Sequence, residues 1–86
     1  MPEVGRCYYF VVHAYYHFLG EVEEVLSGRR VRLKNVRQII SCQRRWTAFF
    51  AEGCMDDTRY DIWPDGTEIE YALPFAPWKH KIPEAK

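Results

Sequence analysis

His13 and His17 stand four residues apart, and three cysteines, Cys7, Cys42 and Cys54, are spread along the chain. On a helix, an H-x-x-x-H pair brings both imidazoles to one face and can chelate zinc. Here the pair falls at the end of an aromatic and β-branched run, Cys7 to Tyr16, whose composition favours a strand. Four residues of strand separate the rings by roughly 13 Å at about 3.3 Å each. A single ion then reaches both only if a bend at Tyr15-Tyr16 folds the segment and Cys42, Cys54 or His80 completes the set. A cysteine beside a histidine would form a thiol nucleophile with its base, but no local catalytic signature surrounds any of the three. Phosphate-loop, dinucleotide-binding and nucleophile-elbow patterns are absent from the sequence. The reading is of a non-enzymatic protein with no metal and no cofactor, its cysteines acting as small buried hydrophobes.

Charge is the clearer constellation. Arg29, Arg30, Arg32, Lys34, Arg37, Arg44 and Arg45 follow one another with no acid between them. Glu52, Asp56, Asp57, Asp61, Asp65, Glu68 and Glu70 then follow with Arg59 as the lone base. Three readings are open. The basic stretch could grip phosphates while Tyr or Trp stacks on bases. The acidic stretch, as Asp56, Asp57, Asp61, Trp63, Asp65, Glu68 and Glu70, could dock on a cationic groove of another protein. Or the two stretches lie side by side and neutralise each other through cross-strand pairs. Formal net charge is zero, so no overall field draws the protein to nucleic acid or an anionic membrane. That balance favours protein binding over nucleic-acid binding.

These side chains need a scaffold, and Gly20 to Ile40 supplies its centre. Ser27-Gly28 is a turn signal between an acidic arm (Glu21, Glu23, Glu24) and a basic arm. Val31 and Leu33 alternate with Arg30, Arg32 and Lys34, which marks a half-buried strand. The alternation slips at Asn35, where a bulge or corner is expected. Trp46, Phe49 and Phe50 share one face of a short helix, and Gly53 sits at its expected αL cap. Tyr60 to Trp63, Pro64-Asp65-Gly66 and Thr67 to Leu73 read as a second hairpin, with Ile69, Tyr71 and Leu73 inward and Glu68 and Glu70 outward. Three Trp, six Tyr and five Phe exceed what a small core readily takes, so a surplus is expected at the surface around Tyr8, Tyr15, Tyr16, Trp63 or Trp78.

The expected fold is α+β and mostly β: a small curled antiparallel sheet, or a partly open SH3/OB-like barrel, of about five strands with one short helix. Residues 1–86 read as one domain, with a core over 7–73 and a proline-rich extended tail over 74–86. An odd cysteine count and the lack of a signal-peptide pattern suggest a reduced, cytoplasmic protein. The longest apolar run, Cys7 to Val12, is too short for a membrane helix. A homodimer through an open sheet edge is compatible with this fold.

The run Val31-Arg32-Leu33-Lys34-Asn35-Val36-Arg37-Gln38-Ile39, preceded by Gly20-Glu21-Val22 and followed by Trp46 and a helix ending at Gly53, resembles a family of small phage-encoded proteins that carry a domain of unknown function. The Trp63-Pro64-Asp65-Gly66 segment and the proline-rich end depart from that pattern. The resemblance implies a phage or prophage accessory protein in a bacterial host cell and carries no activity with it. It suggests binding to a host protein or complex, as a counter-defence inhibitor of the anti-CRISPR kind would do. A small nucleic-acid-binding module is the alternative.

Overall fold

A computed structural model describes residues 1–13 and 16–84. The elements are β1 (Cys7–Val12), β2 (Tyr16–Val25), β3 (Arg30–Ser41), α1 (Trp46–Glu52), β4 (Arg59–Trp63), β5 (Thr67–Glu70) and β6 (Ala72–Pro77). All strand pairs are antiparallel, in the order β4-β3-β2-β1-β6, with β5 also paired to β3. This is the anticipated mostly-β fold, built as an open curled sheet.

β3 is the hub. Its hairpin with β2 turns at Ser27-Gly28, where Gly28 has φ +66° and the Leu26 N–H donates to the Arg30 carbonyl at 2.9 Å. Val31 and Leu33 are fully buried, as their period of two requires. At Asn35 the backbone enters the left-handed region (φ +53°), which asparagine tolerates better than most residues. The register slips there: Leu19 faces Arg37, but Glu21 faces Lys34. Val36 therefore joins Val31 and Leu33 in one core cluster, while Ile39 joins a second.

The second hairpin does not form. β4 and β5 both pair with β3 and run the same way along its edge, β4 against Val36–Ser41 and β5 against Arg30–Leu33. Pro64-Asp65-Gly66 bridges them opposite Asn35. The Asn35 N–H donates to Asp65 Oδ1 at 2.9 Å, and the Gly66 N–H to the Leu33 carbonyl at 2.8 Å. The extra residue in β3 forces its neighbour to detour, and Asp-Gly supplies a bulge where a chain reversal was expected.

The sheet is covered on both faces. One face, the inner face, packs Tyr8, Phe10, Phe18, Val22, Val31, Leu33, Val36, Ile69 and Tyr71. The opposite, helix-side face packs Tyr9, Leu19, Ile39, Phe49 and Trp78. This explains the unbroken apolar run of β1. It also corrects the expectation of surplus surface aromatics at Tyr8 and Trp78, which are both buried. β1 ends at Val12 rather than at Tyr16; of the bend expected at Tyr15-Tyr16, Tyr15 lies outside the described residues and Tyr16 opens β2. α1 forms as expected, with Phe49 buried. Gly53 has the positive φ expected (+83°), but its ψ of −165° is not αL. A Cβ there would lie 2.9 Å from His80.

The proline-rich tail is extended and packed down by Phe75 and Trp78, and its first part is a strand. β6 extends along β1 to Pro77, and Phe75 packs edge-on against Tyr8 and Tyr71. Between Tyr9 and Val11 of β1, β6 advances from Ala76 to Ala72, and this bulge turns Leu73 out to solvent instead of inward. Beyond it, Arg37 Nε donates to the Pro83 carbonyl at 2.7 Å and the Tyr60 hydroxyl to the Glu84 carbonyl at 3.0 Å. Trp78 and Ile82 pack on the helix-side face, while Phe75 packs on the inner one.

Candidate functional site

Strand alternation places Arg30, Arg32 and Lys34 on the side opposite Val31 and Leu33. There they meet acids from both neighbouring strands. Arg30 bonds Glu68 at 3.2 Å, Arg32 bonds Glu24 at 2.5 Å and Glu68 at 3.1 Å, and Lys34 bonds Glu21 at 3.3 Å. The hydrogen bond it donates to Glu68 and the charge of Glu24 hold the Arg32 guanidinium above its ordinary range. Arg44 forms a separate node, donating to Asp57 at 2.7 Å, Glu52 at 3.1 Å and the Gly53 carbonyl at 2.7 Å. Its hydrogen bond keeps the Asp57 carboxyl below the usual carboxylate range. Arg37 is buried and donates to backbone carbonyls. Arg29 and Arg45 make no ion pair among the described residues. The basic stretch is thus dispersed: a neutralised ladder, a loop clamp, a buried donor and two exposed cations.

The acidic stretch is dispersed too. Asp57 serves Arg44, Asp65 caps the Asn35 N–H, and Glu68 belongs to the ladder. Asp56, Asp61 and Glu70 have no side-chain partner among the described residues. Asp56 and Asp57 share a groove with Arg44 and Met55. Asp56 and Asp61 border another along β4 with Ile40, Arg59 and Tyr60.

Trp63, Glu68 and Glu70 come together in a third place. They line a mainly apolar cleft of ≈ 390 Å³ with Val12, His13, Tyr16, Phe18, Thr67 and Ile69. The size suits one side chain or a small ligand. β4 ends at Trp63, whose indole N–H donates to Gln38 Oε1 at 3.0 Å and whose ring meets Phe18 edge to face at 5.4 Å. The wall is therefore fixed, although Trp63 is still 40% exposed. Tyr16 is 49% exposed. Phe18 and Ile69 are buried in the inner-face cluster, and Glu68 and Glu70 line the cleft on β5, with Glu70 making no ion pair among the described residues. The sequence flagged Trp63, Glu68 and Glu70 for their charge and aromaticity. It gave no signal for Val12, His13, Phe18 or Thr67, which only the curl of the sheet brings near Trp63.

The histidines and cysteines are placed apart from this cleft, except His13. His17 Nδ1 accepts the Tyr9 hydroxyl, and its ring stacks on Trp46 at 4.7 Å. Burial pushes the His17 imidazole down and the Tyr9 phenol up. Burial also raises the Cys54 thiol to about 11 and shifts Cys7 upward. All three cysteines are free, half-buried thiols. Among the described residues, no three His, Cys, Asp or Glu side chains are grouped to hold a metal ion, and no helix is long and apolar enough to cross a membrane.

No family model, curated protein or solved structure matches this chain.

Proposed function

We propose that the protein acts by binding another protein, and that the cleft between Tyr16 and Trp63 receives a lysine or arginine side chain of that partner. The observation that carries this is a mainly apolar cleft walled by the aromatic rings of Tyr16, Phe18 and Trp63, with Glu70 among its lining residues and without an ion-pair partner among the described residues. Aromatic faces attract a cation within about 6 Å by roughly 0.5–2 kcal/mol, and an unpaired carboxylate on the adjoining strand adds to the local negative potential. Glu68 is already held by Arg30 and Arg32, so Glu70 is the available anion. The resemblance to small phage-encoded proteins makes a bacterial host component the first partner to test, and an inhibitory role follows from such docking.

The test uses a capped Gly-Lys-Gly peptide and its norleucine counterpart, followed through the indole N–H signals of the three tryptophans by NMR. The reading expects the lysine peptide to shift the Trp63 signal and the neutral peptide to leave it in place. Equal shifts by both would remove the cation, and no shift by either would remove the cleft.

Nucleic-acid binding is the second reading, favoured by exposed Arg29 and Arg45. It expects single-stranded oligonucleotide affinity that falls steeply with salt. It ranks lower because Arg30, Arg32, Lys34 and Arg44 already have carboxylate partners.

A further inference from the structure

The charge ladder that crosses β2, β3 and β5 stops at β4. Opposite Asp61 on β3 stands Gln38, and opposite Arg59 stands Ser41, so neither charge finds a partner inward. Both are exposed, and neither makes an ion pair among the described residues. β4 is also a terminal strand of the sheet, and no described strand pairs with its outer edge. Its sequence, Arg-Tyr-Asp-Ile-Trp, contains no proline, glycine or lysine to discourage further pairing. The opposite terminal strand, β6, carries Pro74 and Pro77, each of which lacks the N–H that a neighbouring strand would need.

We infer that β4 is a self-association edge, where a second copy of this chain adds its own β4 antiparallel about a two-fold axis. The charges choose the register. With Tyr60 opposite Tyr60, each Arg59 faces the Asp61 of the other copy, giving two identical ion pairs. With Asp61 opposite Asp61, two like charges meet directly, which is unfavourable. In the first register Ile62, now 44% exposed, lies across from Thr58 and diagonal to Tyr60. Trp63 falls beyond the paired segment, so the cleft stays open in each copy. A two-fold axis perpendicular to the sheet keeps both clefts on the same side, which allows two-point attachment to one partner.

The experiment is sedimentation velocity over a dilution series with four proteins: wild type, Arg59→Asp, Asp61→Arg and the double exchange. The wild type is expected to dimerise reversibly. Each single change places like charges opposite each other and weakens the dimer about tenfold. The double exchange restores both pairs and returns the dimer to within about threefold of wild type. Both positions are solvent-exposed, and matching circular dichroism establishes that the variants are folded. A wild type that stays monomeric at every concentration overturns the inference. So does a double exchange no better than the singles.

Discussion

The hairpin of β2 and β3 and the margin formed by β4 and the Trp63 cleft both carry charges of either sign and put them to different use. In the hairpin, Glu21, Glu24, Arg30, Arg32 and Lys34 answer one another across strands, and Glu68 of β5 completes the set. At the margin, Arg59, Asp61 and Glu70 have no ion-pair partner among the described residues, and Ile62, Trp63 and Tyr16 stand beside them partly exposed. The charges facing one another across the hairpin strands are answered within the chain; those of the margin are not. A dense run of charge in the sequence is therefore a poor guide to function. What matters is which charges the fold leaves unanswered next to exposed aromatic area.

The contrast makes graded predictions. Leu33→Ala empties a fully buried site beneath the ladder and is expected to reduce unfolding free energy by about 2–5 kcal/mol. The matching change at the margin, Ile62→Ala, is expected to change it by less than about 1 kcal/mol. Urea unfolding of the two variants measures both, and equal losses would break the distinction.

Partner binding should respond in the opposite sense. Trp63→Ala is expected to weaken it by about 2 kcal/mol or more, on the order of thirtyfold. Leu33→Ala should leave affinity unchanged wherever the fold survives. Calorimetry with the captured partner reads the difference.

His17 lies in neither region and reports on the helix-side face alone. Its folded-state imidazole is shifted below the ordinary value of 6.5, so the unfolded chain binds the proton more readily. Its stabilising contribution is present above that pH and is lost as pH falls below it. Protonation also removes the Nδ1 lone pair that accepts the Tyr9 hydroxyl. Thermal melts at falling pH are expected to show declining Tm, and His17→Gln should flatten the trend between neutrality and pH about 5. The Asp57–Arg44 contribution is lost only at lower pH, through the carboxylate range, because the Asp57 pKa is depressed.

The smallest effect belongs to the ladder surface. Arg32→Ala removes two exposed, solvent-screened ion pairs and is expected to leave both the fold and partner affinity intact. A large loss of affinity on this change would move the binding surface to the hairpin.

Much of the fold was legible because short-range chemistry decides it. The β2–β3 hairpin, the buried Val31 and Leu33, the slip at Asn35 and the helix face of Trp46 and Phe49 follow from turn residues and periodicity. The misreadings share a cause: each depended on a partner distant in sequence. Asp65-Gly66 looks like a hairpin turn until Asn35 of β3 is placed opposite it. Pro74, Pro77 and Pro83 mark an extended tail that Phe75 and Trp78 can pin to the sheet, but only the pairing with β1 reveals that its first part is a strand. Trp63 and Glu70 stand out in the sequence by their own chemistry, but the cleft needs Val12, Tyr16 and Phe18 from another hairpin, and no local pattern places them there. Dispersal of the acidic residues over three grooves was hidden for the same reason.

The most direct test of the central claim is affinity capture from bacterial lysate, with mass spectrometry, of three proteins in parallel. They are the wild type, the cleft variant Trp63→Ala/Glu70→Lys, and the ladder variant Arg30→Ala/Arg32→Ala. The account predicts that wild type and ladder variant retain the same host protein after nuclease treatment, and that the cleft variant loses it. Retention by the cleft variant, or loss with the ladder variant or the nuclease, would contradict it.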